Sequence, residues 1–389
     1  MIDPPSTARR RVYLDHGATS FPKPVAVWEA VIESGQTLGA PAGRGAYREA
    51  ALVDRWIEKT RGLVARLLGA KAERVVFTLN GTDSLNIALK GTLQPGDHVV
   101  TTVLEHNSVL RPLAAIERDR AITVTRVRAD REGRVRLDDI ARAITFRTRL
   151  VAVTHASNVC GTILPIRAIG EVARRAGAHF LVDAAQTAGT VPIHMEEDGI
   201  DLLCAPGHKG LLGPPGTGVL AVRDGVEVTP WREGGSGTRS EEPEQPSDYP
   251  MRLEAGSPNV PGIAGLGAGV EHLLREGVPR VHERLQELGR SLWEGLERIP
   301  GLWVGGPRDL REREPIFPIN VEGFSPHDLA AALDASFGVQ CRAGLHCAPL
   351  AHEALGTAPG GSCRLSLGSM STQEDVGAAI AAVAAIAKR

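Results

Sequence analysis

Residues 180–220 read FLVDAAQTAGTVPIHMEEDGIDLLCAPGHKGLLGPPGTGVL, and this stretch decides the fold. It opens with a short apolar run, Phe180-Leu181-Val182, that ends in an acid, Asp183. A second apolar run, Leu202-Leu203-Cys204-Ala205, leads to Lys209 inside a glycine-rich turn. Short apolar runs bounded by turn residues predict buried strands. In open α/β sheets, ligands sit outside the carboxyl ends of the strands. Asp183 and Lys209 are therefore expected to leave neighbouring strand ends and face one cleft. A strand-end acid beside a lysine in a tight turn suits pyridoxal 5'-phosphate (PLP). The amine binds the aldehyde, and the acid keeps the pyridine nitrogen protonated so that the ring accepts electrons. The plain alternative is an Asp that caps a turn and a Lys that is surface charge. Lysine usage weighs against it. Six of the 44 basic residues are Lys, and Lys209 alone lies between Lys90 and Lys388, so surface charge here is supplied by Arg.

Working outward, strand and helix patterns alternate from about residue 75 to 220, which predicts a mainly parallel, doubly wound sheet. Val75 to Thr78 reads as a strand, followed by Asn80-Gly81-Thr82-Asp83-Ser84 and an apolar-periodic helix. Gly81 and the hydroxyl of Thr82 place free backbone N–H groups where an anion can sit. A simple N-cap by Thr82 explains the same residues. His98 to Leu104 is a further strand, and His106 follows its end, where a histidine could stack on a cofactor ring or move protons. Val12 to Asp15 is a short strand, Ala46 to Leu68 a long amphipathic helix ending at Gly69, and residues 1–12 a loose Arg-rich arm. After Val222 the text becomes turn-rich through Pro246, and helices near 263–275 and 279–299 are broken at Gly277. From Leu302 the pattern is α+β, closing with a helix that starts at Ser371 or Thr372.

Composition narrows the function classes. The 42% hydrophobic and 23% charged content fits a soluble globular chain of two or three domains. A net charge of −2 gives no global field for nucleic acid or an anionic membrane. No apolar run is long enough to span a bilayer. Five cysteines, with no CxxC and no zinc-like spacing, point to a reduced, cytoplasmic compartment. Of these, Cys347 stands out: it lies in a Gly/Pro-bounded loop beside His346 and near Arg342, where positive charge favours a thiolate. Arg364 opens the strand RLSLG, where a rigidly held guanidinium could clamp a carboxylate; a surface ion pair explains it equally.

The motifs VYLDHGATS, NGTDSLN, EHNSVLRP, SNVCGT, VDAAQTAG, PGHKGLLGPPGTG, EAGSPN, RAGLHCAPL and CRLSLG fall in order across about residues 12–370. Together they resemble the PLP-dependent class V aminotransferases, most closely the cysteine desulfurases of the selenocysteine lyase-like (group II) branch. The resemblance implies PLP fold type I (aspartate aminotransferase-like): an N-terminal arm over 1–24, a large PLP-binding domain over 25–261 and a small α+β C-terminal domain over 262–389. It also implies roles. Lys209 would hold PLP, Asp183 would face the pyridine nitrogen, Gln186 the phenolic oxygen, and His106 would stack on the ring beside Asn158. Gly81, Thr82 and His208 would bind phosphate, joined by Ser257 from the partner subunit of a homodimer. Arg364 would take the substrate carboxylate, with Asn158 nearby. Cys347 would take sulfur from L-cysteine, or L-selenocysteine in its place, as a persulfide for an acceptor protein or small molecule, with L-alanine released. Pro206, His16 and Gly17 depart from the family pattern, where Ser, Asn and Ala are frequent. Other class V reactions (selenocysteine cleavage, transamination, racemisation) stay open at this point, as does an idle scaffold for a sulfur carrier.

Overall fold

The computed structural model describes residues 10–43, 45–237, 239 and 241–388; residues 1–9 of the expected arm lie outside the described residues. The chain enters through strand β1 (Val12–Tyr13), then helices α1 (Val25–Glu33) and α2 (Arg48–Leu68). Helix α2 begins two residues later than expected and ends as predicted. Val53, Ile57, Val64 and Leu68 recur along one face and are buried, and Gly69 closes the helix in the left-handed region at φ 63°.

The alternating region then builds seven strands: β2 (Val75–Thr78), β3 (His98–Thr102), β4 (Thr123–Val127), β5 (Thr148–Thr154), β6 (His179–Asp183), β7 (Leu202–Pro206) and β8 (Gly218–Val222). Helices α3 (Gly81–Thr92), α4 (Asn107–Arg120), α5 (Leu137–Ala143) and α6 (Ile166–Arg175) connect them. The sheet order is β2-β8-β7-β6-β5-β3-β4. Pairings from β7 to β4 are parallel; β5, β6 and β7 are largely apolar and buried on both faces, whereas the edge strand β4 alternates toward solvent. Strand β8 runs antiparallel to both neighbours. The reason is the connection: residues 207–217 form a turn with no crossover helix, so the chain must fold straight back beside β7.

Residues 223–259 contain no helix or strand among those described. Helices α7 (Val260–Glu276) and α8 (Val278–Glu297) follow, separated at Gly277 as expected. A small-residue face of α7 packs closely: a Cβ at Gly265 would meet Val31 of α1 at 2.7 Å, and one at Gly267 would meet Thr60 of α2 at 2.4 Å.

The C-terminal part holds β9 (Leu302–Val304), β10 (Ile316–Val321), α9 (Pro326–Phe337), β11 (Val339–Gln340), β12 (Arg342–Gly344), α10 (Pro349–Leu355), β13 (Ser362–Ser366) and α11 (Gln373–Ala387). Four strands form an antiparallel sheet in the order β12-β13-β10-β9. Its core joins Leu285 and Leu292 of α8, Leu333 of α9 and Val383 of α11 to Phe317 and Leu365. Val12 and Leu14 from the other end of the chain share that core, and β1 pairs in parallel with β11. Thr372 caps α11 with a reciprocal box to Asp375. No described helix is long and apolar enough to cross a membrane.

Candidate active site

Parallel pairing places Asp183, the last residue of β6, against Cys204 of β7, two residues before that strand ends at Pro206. The carboxyl ends of β3, β5, β6 and β7 thus open onto one cavity of about 530 Å³. Gly81, Thr82, His106, Asn158, Asp183, Gln186, His208, Lys209 and Arg342 line it. Eight of these nine are residues singled out from the sequence as cofactor contacts, separated by up to 128 positions (81 to 209). Among the described residues, no cluster of His, Cys, Asp and Glu is arranged to hold a metal ion.

The turn that presents Lys209 needs its glycines. A Cβ at Gly207 would lie 2.1 Å from Thr217 Oγ1, and one at Gly210 would lie 2.3 Å from the Ala188 carbonyl oxygen. The turn is also pinned from the N-terminal segment. The His208 carbonyl accepts from Ser20 N–H at 3.0 Å, Ser20 Oγ at 3.1 Å, Thr19 Oγ1 at 3.1 Å and Lys23 Nζ at 3.0 Å. Lys23 is buried, with its pKa lowered to about 8 by desolvation. Nothing local in the sequence marks this lysine as a support for the site.

Burial is the first cause that lowers the Lys209 pKa to about 8; Arg364 adds to it, and Asp183 partly offsets it. Asp183 is buried, which raises its carboxyl pKa, while the Ala185 N–H at 2.9 Å and Lys209 pull it back. Behind it, Glu105 is fully buried, accepts from Thr102 Oγ1 at 2.7 Å, and is pushed up to about 8 by desolvation. An acid held protonated at neutral pH therefore sits near Asp183.

His106 caps α4: its Nδ1 accepts the Ser108 N–H at 3.1 Å. Ser108 Oγ lies 2.9 Å from the same nitrogen and 2.7 Å from Thr82 Oγ1, joining two predicted site residues through one the sequence did not flag. Desolvation, then Lys209, lowers His106 to about 4, so its ring is neutral. His208 is likewise lowered to about 4 by burial and Lys209, with Nδ1 3.0 Å from Thr19 Oγ1. At α3 the cap is Asn80, whose side chain takes the Asp83 N–H at 2.9 Å; Thr82 is the second helical residue and not the cap. The first-turn N–H groups at Gly81 and Thr82 therefore remain available at the cavity wall.

Arg364 departs from a simple clamp. It is fully buried and is not among the cavity-lining residues. Nη2 donates to Asp15 Oδ1 at 2.7 Å and Nη1 to the Asn158 carbonyl at 2.9 Å, while Nε is buried without a partner. Gly17 permits this position, since a Cβ there would stand 2.9 Å from Arg364 Cζ. The guanidinium that lines the cavity is Arg342, which donates through Nη2 to Cys347 Sγ at 3.4 Å.

Cys347 is likewise not among the cavity-lining residues; two bonds tie its loop to the site. Asn107 N–H donates to the Cys347 carbonyl at 2.7 Å, and Asn158 Nδ2 donates to the His346 carbonyl at 2.7 Å. His346 and Cys347 both adopt left-handed backbone, φ 51° and 59°, which non-glycine residues keep only when surroundings impose it. One expectation changes here. His346 is buried, stacked on His352, and lowered to about 2 by desolvation, so it brings no positive charge to the thiol. Arg342 alone does that. Ser257 stands apart: it is exposed and lines a second cavity of about 340 Å³ with Arg61, Phe77 and Glu254.

The Aminotransferase class-V family model matches residues 12–378. The chain belongs to the class V aminotransferase family. Within it, the relatives are those of the cysteine desulfurase branch. A probable cysteine desulfurase of Methanothermobacter thermautotrophicus is 35% identical over 95% of this chain and 92% of its own length. The cysteine desulfurase IscS of Clostridium botulinum is 33% identical over 94% of this chain and 92% of its own. The apo structure of a cysteine desulfurase from Thermococcus onnurineus superposes with TM-score 0.92 at 33% identity, covering 97% of this chain and 95% of that one. The cysteine desulfurase CsdA of Escherichia coli gives TM-score 0.86 at 29% identity, with 96% and 94% covered. The fold is that of the type I PLP enzymes in this branch.

Proposed function

We propose that this family member is a PLP-dependent cysteine desulfurase, which takes sulfur from L-cysteine as a persulfide on Cys347 and releases L-alanine. The observation that carries the reading is the attachment of the Cys347 loop to the cavity that holds Lys209 and Asp183: its backbone is tied to Asn107 and to cavity-lining Asn158, and its sulfur to cavity-lining Arg342. The donor set fits PLP. A lysine with a lowered pKa faces a buried acid, and helix α3 opens at the same wall with its first N–H groups uncapped. When bound, PLP supplies an electron sink that acidifies the substrate Cα–H and weakens the Cβ–Sγ bond.

The chain's own residues divide the remaining work. Lys209 would hold the aldehyde and, once freed by the substrate amine, move the Cα proton on Nζ. Asp183 would hold a proton at the pyridine nitrogen, and a cation brought against it would offset the burial that now raises its pKa. Gln186 would reach the phenolic oxygen; its Nε2 now donates to the Gly17 carbonyl at 3.1 Å. His106 would cover one ring face as a neutral imidazole beside Asn158. Gly81, Thr82 and His208 would hold the phosphate, with Ser257 arriving from the second copy of a homodimer. The unpartnered Nε of Arg364 marks a donor still lacking an acceptor, which the substrate carboxylate would supply. Arg342 would stabilise the Cys347 thiolate. That thiolate attacks the substrate sulfur: an S–S bond forms, the C–S bond breaks, and its electron pair stays with the carbon that leaves as alanine after protonation. L-Selenocysteine would enter by the same contacts. The persulfide then passes to an acceptor thiol in the cytoplasm, where the five free cysteines are at home.

Incubation with L-cysteine should yield alanine in step with one extra sulfur on the peptide holding Cys347. Cys347→Ala should abolish both while the protein stays yellow, and Cys341→Ala should abolish neither. Alanine and sulfide formed from cysteine at the parent rate by Cys347→Ala would overturn the reading.

A further inference from the structure

Two cysteines outside the proposed chemistry face each other across the small sheet. Cys341 Sγ lies 3.3 Å from Cys363 Sγ, and both are free thiols. Their place in the ladder gives the contact its meaning. Arg342 and Arg364 are register partners on β12 and β13, so their side chains share one face. Cys363, one step before Arg364 on β13, points to the other face into the small-domain core, and Cys341, the residue just before β12, packs against that core. The thiol pair is thus the reverse side of the two-strand element that carries both guanidiniums of the site. Cys341 is part-exposed, whereas Cys363 is fully buried. The hydrogen bond shared with Cys341, then burial, holds the Cys363 thiol pKa well above its ordinary value.

We propose that Cys341 and Cys363 form a peroxide-sensitive thiol pair whose oxidation to a disulfide resets Arg342 and Arg364. A hydroperoxide reaches the exposed member first. Cys341 sulfur takes one oxygen, the O–O bond breaks, the alcohol or water leaves, and a sulfenic acid remains. Cys363 sulfur then attacks that sulfur, the S–O bond breaks, and the hydroxyl leaves as water with the Cys363 proton. The hydroperoxide is reduced by two electrons, one from each thiol. An S–S bond of about 2.05 Å draws the sulfurs ~1.3 Å closer than their present 3.3 Å. Packed strands transmit such a shift instead of absorbing it. It acts directly on the residues that follow Cys341 and Cys363 in sequence, Arg342 at 3.4 Å from Cys347 and Arg364 at 2.7 Å from Asp15.

The thiol pair stands on its own geometry; only its effect on substrate rests on the desulfurase reading. The test uses the Cys347→Ala holoprotein, which lacks the competing thiol, treated with equimolar hydrogen peroxide. Intact mass should fall by two hydrogen atoms and recover with dithiothreitol, and the tryptic peptides ending at Arg342 and Arg364 should be joined. Amide exchange across residues 342–347 should change in the oxidised form, and L-alanine, a thiol-free product, should bind about tenfold more weakly. The Cys341→Ser, Cys347→Ala protein should show none of these changes. Absence of the cross-link, a sulfinic acid at Cys341 in its place, or a cross-link with unaltered exchange across 342–347 would each overturn the proposal. Failure of L-alanine to bind the reduced protein would count against the desulfurase reading alone, since mass and exchange do not depend on it.

Discussion

Lys209 carries its charge at a cost, because burial and Arg364 lower its pKa from 10.5 to about 8. The sign follows directly: below about 8 the amine is protonated and unreactive, and above it the free amine is the main form. Capture of PLP by the apo-protein should therefore quicken as pH rises from about 6 to about 9 and level off, instead of climbing toward the ordinary lysine range. Stopped-flow absorbance reads this, and Lys209→Ala should show no visible band at any pH. The two arginines should separate in kinetics. Arg364→Ala should raise the KM for cysteine by an amount worth about 1.5–3 kcal/mol while cofactor stays bound. Arg342→Ala should act mainly on kcat, because its contact is with Cys347. Equal effects of the two on KM would refute that division.

At the scale of elements, two contacts explain residues that look unremarkable in the text. Arg61 of α2 is 1% exposed, and its Nη1 bonds Glu254 at 2.7 Å and the Val75 carbonyl at 2.6 Å. Glu254 also accepts the Phe77 N–H at 2.6 Å, which ties helix α2, strand β2 and the loop before α7 together. Arg61 Nε also pairs with Glu58 at 3.1 Å, so Glu254→Ala removes one of two counter-charges and should cost about 1–3 kcal/mol in urea unfolding. A loss below about 1 kcal/mol would show that Arg61 finds another partner. Gly368 follows β13 and lies against His16. The His16 ring fills the space: a Cβ at Gly368 would stand 2.1 Å from its Nδ1. Gly368→Ala should destabilise by about 1–3 kcal/mol, and His16→Asn in the same chain should recover much of it.

At the scale of the whole molecule, Ser257 stands apart from the other proposed cofactor contacts. Within one chain it lines the 340 Å³ cavity beside Glu254 and not the 530 Å³ cavity of Lys209. Under the proposed function, Ser257 would reach the site of Lys209 from a second copy in a homodimer. Light scattering should show a dimer, and Ser257→Ala should loosen cofactor without altering the fold. A stable, PLP-loaded, active monomer would rule it out.

Much of this architecture was legible in the chain. Apolar runs ending in Asp183 and Pro206, the glycines around Lys209 and the cap of α11 are local patterns, and side-chain periodicity and turn chemistry act over a few residues. That locality is why the sheet and the candidates Asp183, Lys209, Gly81, Thr82 and His106 could be read from local patterns. Gln186, Asn158 and His208 came from the family resemblance, and the structure sets all eight around one cavity. The direction of β8 needed the shape of the turn before it. What only the tertiary structure decided is long-range or collective. Asp15 meets Arg364 across 349 positions, and Cys341 meets Cys363 across 22. The neutral state of His346 and the lowered pKa of Lys209 are set by how much water their neighbours exclude. Desolvation belongs to the assembled surroundings of a residue and not to its place in the sequence.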